Sequence, residues 1–130
     1  MADLGVLDLS TNKCTGAPIK VKMQDVAGKV RVVTLPDRPL LLTIGPAYDT
    51  DGTTLTGQAV YSIAAAGTYT SNASAVTVAD GANRGDCPAS SARCVRVAGL
   101  GPSAQLALSS ATASGYVEIH LERIGEDIRA

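Results

Sequence analysis

The sequence predicts an all-β protein, a small β-sandwich or barrel of short antiparallel strands led by an extended N-terminal arm. Three observations carry this expectation. Apolar and polar side chains alternate with a period of two in several short stretches, most clearly at 19–23, 29–34 and 116–122. Thirteen glycines and six prolines punctuate the chain, with turn signals spaced about 8–12 residues apart, as between the strands of sandwiches and barrels. No window sustains the i, i+3, i+4, i+7 apolar pattern of an amphipathic helix.

Taken in order, residues 1–18 alternate weakly and end in Thr15-Gly16-Ala17-Pro18, which reads as an extended arm ahead of a single β domain over 19–130. Ile19, Val21 and Met23 point to one side, with Lys20 and Lys22 on the other. A turn at 25–28 and a second alternating stretch, 29–34, make this pair read as a hairpin. Pro36 and Pro39 bracket a corner before an apolar strand at 40–44. The run Tyr48-Asp49-Thr50-Asp51-Gly52-Thr53 has the chemistry of a turn. Further strands are expected at 55–64, 67–70, 75–79, 95–98 and 105–108. In the last, at 116–122, Val117, Ile119 and Leu121 point inward, and Tyr116, Glu118, His120 and Glu122 outward.

A chain of 130 residues suits one domain that buries about two-thirds of its unfolded surface. Hydrophobic residues make up 45%, yet Trp and Phe are absent and the aromatic set is Tyr48, Tyr61, Tyr69 and Tyr116. The core is therefore expected to consist of Val, Leu, Ile and Ala, whose small buried areas favour a protein that gains further burial by association. Eleven basic and twelve acidic residues give a net charge of −1, so no global field draws nucleic acid or an anionic membrane. No apolar run reaches the roughly 18 residues of a membrane span. Asp3 and Asp8 stand where an export signal needs positive charge, which predicts synthesis in the cytoplasm.

The chemistry-bearing residues are few. His120, the single histidine, shares its strand face with Glu118 and Glu122, a trio suited to acid–base work or a divalent ion, or to a polar outer face of an amphipathic strand. The sequence holds no Gly-x-Ser-x-Gly elbow, P-loop or paired Cys-x-x-Cys. It therefore predicts no enzymatic activity, no metal site and no cofactor. Asp49 and Asp51 read as turn residues rather than calcium ligands, because a calcium loop needs a closing bidentate acid. Lys20, Lys22, Lys29 and Arg31 are expected to line one face of the first hairpin, where they face solvent, pair with Glu118 and Glu122 if those strands adjoin, or offer a cationic docking surface to an acidic protein partner. No aromatics interleave with them as nucleic-acid binding would need. In NRGDCPASSARC (83–94), Cys87 and Cys94 lack the second pair or histidines of a zinc site. They stand either as two thiols or as a disulfide worth about 2.5 kcal/mol by loop entropy; Cys14 leaves the count odd. Arg84-Gly85-Asp86 reads as a charged turn.

With a Met-Ala-Asp start, a polar arm and a Gly/Ala/Thr/Val-rich body typified by GQAVYSIAAAGTYTSNASAVTVADGANRG, the chain resembles tailed-bacteriophage head decoration (cement) proteins. The resemblance lies in overall character across the chain. It implies a small β domain on the outside of the virion, docked on the major capsid protein and on copies of itself, often as trimers, stabilising the capsid. A phage tail or fibre module that binds a receptor or a neighbouring virion protein is the alternative of the same texture.

Overall fold

The structure, a computed structural model, describes residues 4–26, 28–56, 59–71, 91–110 and 112–124, and the backbone of 85–87. Within these residues the chain is all-β. Its strands are β1 (Leu7–Asp8), β2 (Ile19–Lys22), β3 (Arg31–Thr34), β4 (Leu40–Tyr48), β5 (Ala59–Ala64), β6 (Gly85–Cys87), β7 (Arg93–Val97), β8 (Gln105–Ser110) and β9 (Tyr116–Arg123). They form a five-stranded sheet, β1-β3-β8-β5-β6, packed against a four-stranded sheet, β2-β9-β4-β7. The expected β-sandwich is therefore present.

Alternation builds the interior. Val21 on β2, Leu40, Leu42 and Ile44 on β4, and Val117, Ile119 and Leu121 on β9 turn inward from the four-stranded sheet. They meet Val33, Ala59, Tyr61, Ile63, Leu106 and Leu108 from the five-stranded one. The core is aliphatic, as the composition requires. β4 changes register between Ile44 and Ala47, across a cis Gly45–Pro46 peptide, and so keeps both Ile44 and Ala47 buried while Tyr48 stands opposite Tyr116.

The five-stranded sheet is also covered on its outer side. Val30, Val32, Tyr69 and Ala107 form a second buried cluster there, and the Tyr69 hydroxyl hydrogen-bonds Ser62 Oγ. Residues 67–70 are accordingly not the strand expected of them. The Tyr69 amide donates to Gln105 Oε1 at 2.8 Å, and its ring lies on the sheet instead of extending it. The strand expected at 75–79 lies outside the described residues. The strand expected from residue 55 begins at Ala59.

The hairpin expected from 19–34 does not form. β2 pairs antiparallel with β9, Lys20 opposite Glu118, whereas β3 pairs antiparallel with β8 in the other sheet. Among the described strands, only β5 and β6 are neighbours both in order and in a sheet. The N-terminal segment lies along one side of the sandwich and touches both sheets. β1 runs parallel to β3, with Leu7 opposite Val33 and Asp8 opposite Thr34. Farther on, Thr15 bridges Glu122, and the Gly16 amide donates to the Leu121 carbonyl at 2.8 Å. Between these two contacts Cys14 is buried in the core at 2% exposure.

Candidate functional site

Outward-pointing residues of β2, β9, β4 and β7 gather the polar side chains singled out by the sequence. The His120 imidazole and the Glu118 carboxylate meet at 2.9 Å (Nε2 to Oε2), as expected of residues two apart on one strand face. Their side chains are 29% and 18% exposed, so the contact belongs with partly solvated pairs worth about 0.2–1 kcal/mol. Tyr48 lies beside the same carboxylate; burial and the Glu118 charge raise its hydroxyl above its ordinary range. Lys20, opposite Glu118 in the β2–β9 register, sets its ammonium 4.7 Å from the centre of the Tyr48 ring and donates to the Gly52 carbonyl. Glu122 does not join this group. Its side chain lies 3.1 Å from where a Cβ on Gly16 would stand. Thr43, opposite His120, donates its hydroxyl to Cys94 Sγ at 3.8 Å. Among the described residues no three His, Cys, Asp or Glu side chains come together as metal ligands.

The turn after β4 explains how Gly52 reaches Lys20. Asp51 Oδ1 accepts the Thr53 and Thr54 amides at 2.9 and 2.8 Å, and Oδ2 accepts the Thr54 hydroxyl at 2.5 Å. The Gly52 amide donates to the Asp49 carbonyl at 2.9 Å, which folds the turn back over the Tyr116 ring. The Thr54 hydroxyl and amide, then the Thr53 amide, hold the Asp51 carboxyl down at about 2. Because this lies below the unfolded value, the turn's added stability is complete above about pH 4 and fades as pH falls through about 2. The Thr53 and Thr54 amide resonances are expected to titrate together with a midpoint near 2; a midpoint near 3.8, the ordinary Asp value, would show that the carboxylate is not held by the turn.

The four cations expected on one face are separated. Lys20 and Lys22 are exposed on the outside of the four-stranded sheet, and Lys29 sits in the turn ahead of β3. Arg31, on the other sheet, is buried at 9% exposure. Its Nε donates to the Gly5 carbonyl at 3.0 Å and its Nη1 to the Lys22 carbonyl at 2.8 Å. The shared face fails because it presumed a hairpin that the topology does not make. Arg31 instead ties the N-terminal segment to the end of β2. Buried Gln24 does a similar job, accepting the Leu4 amide at 2.9 Å and donating to the Val30 carbonyl at 3.2 Å. An isolated Gln beside Asp25 carries no sequence signal for this.

The segment 83–94 is not a simple loop. Gly85–Cys87 pair with β5 at the edge of one sheet, Cys87 opposite Ala59, and Arg93–Val97 form the edge of the other. Cys94 carries a free, exposed thiol. The side chain of Cys87, the proposed pairing with Cys94 and Arg84 of the Arg-Gly-Asp triplet lie outside the described residues. Compared with protein-family models, curated proteins and solved structures, the chain finds no match.

Proposed function

We propose that this chain is a structural protein of a tailed-phage particle, a decoration protein that docks on the major capsid protein and on copies of itself and stabilises the head. One observation carries the reading beyond the resemblance. The ionisable groups of the polar face act as ties within the fold: Glu118 with His120 and Tyr48, Lys20 with Gly52 and Asp51 with its own turn. Such ties stiffen a β-sandwich, which suits a protein whose task is to hold a shape under load. Docking of many copies on a regular shell turns weak single contacts into firm attachment through effective concentration. Lys22, exposed on β2 beside Lys20, offers charge to an acidic partner.

The test is sedimentation of purified protein with undecorated heads. Co-sedimentation that raises the temperature at which the heads rupture is the expected result, and Lys22→Glu is expected to weaken it several-fold at low salt. Binding to host cells with no binding to heads would replace this reading with the receptor-binding module.

A further inference from the structure

The N-terminal segment is held by groups distant in sequence and joins β2 through a short connection, residues 16–18. Residues 4–15 meet Gln24, Arg31, Val33 and Thr34 at one end and Glu122 and Arg123 at the other, and the Gly16 amide adds a bond to the Leu121 carbonyl. Most of these contacts are backbone hydrogen bonds: the Leu9 amide donates to the Thr34 carbonyl at 2.9 Å and the Arg123 amide to the Cys14 carbonyl at 3.2 Å. The segment acts as a strap that closes one side of the sandwich. We propose that this strap is exchangeable, leaving its own sandwich to close the same seam in a second copy of the chain and thereby joining the two copies.

Three features of the junction support this. Gly16 turns the strap into place at φ +84°, in the left-handed region that glycine adopts without penalty. Ala17 precedes a proline and is already biased to extended backbone, and Pro18 fixes its own φ; both are exposed. The hinge is therefore one residue wide, and moving Gly16 from left-handed to extended backbone redirects the whole strap. Every contact the strap makes in its own copy is available in identical form in the other, so exchange replaces its bonds without loss. The partner is a second copy of this chain because the seam that receives the strap, from Gln24, Arg31 and Thr34 to Glu122 and Arg123, recurs there with the same register. The proposal does not depend on the particle to which the protein is assigned above, and its test uses the purified chain alone.

Two variants, Asp8→Cys and Thr34→Cys, each in a Cys14→Ala, Cys87→Ser, Cys94→Ser background and carrying different tags, place a single cysteine on β1 in one chain and at its register partner on β3 in the other. Refolded together at high concentration and oxidised with diamide, they are expected to form a disulfide between the two tagged chains. No such product, with the Asp8→Cys/Thr34→Cys double variant closing its disulfide within one chain, overturns the proposal. A second measurement separates exchange from general weakening. Gly16→Ala strains the closed hinge and also brings its Cβ to 3.1 Å from Glu122 Cγ. A left-handed alanine costs about 1–2 kcal/mol, so the dimer-to-monomer ratio is expected to rise about tenfold per hinge. Gly5→Ala strains another left-handed glycine (φ +76°) that stays inside the strap in both forms. It is expected to leave the ratio unchanged, and equal responses to the two substitutions overturn the proposal.

Discussion

Ile119→Ala is expected to lower the free energy of unfolding by about 2–5 kcal/mol, read from urea denaturation. Ile119 is fully buried on β9, paired with Ile19 of β2 on one side and Ile44 of β4 on the other. The side chains around it are aliphatic and short, and they belong to strands fixed by ladder hydrogen bonds on both sides. Such a wall collapses poorly into a hole, which places the loss toward the upper part of that range. Against a total stability of roughly 5–15 kcal/mol for a domain, the change removes a large share. Ile119→Val should cost about 0.5–1.5 kcal/mol. Equal losses for the two variants would mean that the site is not packed as described.

Arg31→Met is expected to cost about 2–4 kcal/mol, with the effect concentrated at one end of the sandwich. The substitution keeps most of the aliphatic stem and removes the charge-assisted bonds of the guanidinium, those to the Gly5 and Lys22 carbonyls among them. Each such bond contributes about 1.5–3 kcal/mol. Relief from burying a cation returns part of the loss. Amide exchange distinguishes this variant from a general core defect. Amides of residues 4–9 should lose protection before those of β9, because Arg31 holds the start of the strap. Uniform loss of protection across β9 and the strap would remove Arg31 from that role.

How much of this was legible in the sequence depended on whether a sheet face was wet. On β2 and β9 one face is buried and the other polar, so Val21, Met23, Val117, Ile119 and Leu121 could be assigned inward from alternation alone. On β3 and β8 both faces are covered, one by the core and one by the cluster around Tyr69, which gives the runs Val32-Val33 and Leu106-Ala107-Leu108. Alternation says nothing about such runs. Arg31 has the pattern of a surface cation, because local alternation carries no information that β2 and β3 part into different sheets. The contact between His120 and Glu118 followed from their spacing. The places of Tyr48, Lys20 and Gly52 beside Glu118 did not, since they depend on which strand neighbours β9 and on the fold of the turn after β4. Strand identity is a local property of sequence; strand partnership is not.

That distinction has a consequence for how the protein reaches its shape. Nearly every step between successive described strands passes from one sheet to the other, and β2 waits for β9, whose partner residues 116–119 come far later in the chain. Local hairpins cannot seed this architecture, so folding is governed by closure of long loops and is expected to be slow for a domain of this size. During synthesis at about 5–20 residues per second, the edges of β2 and β4 that pair with β9 stay open for several seconds until β9 emerges. The four-stranded sheet is thus completed only after β9 has been made, and crowding of unfinished chains is the condition under which it is most exposed to pairing with the wrong copy.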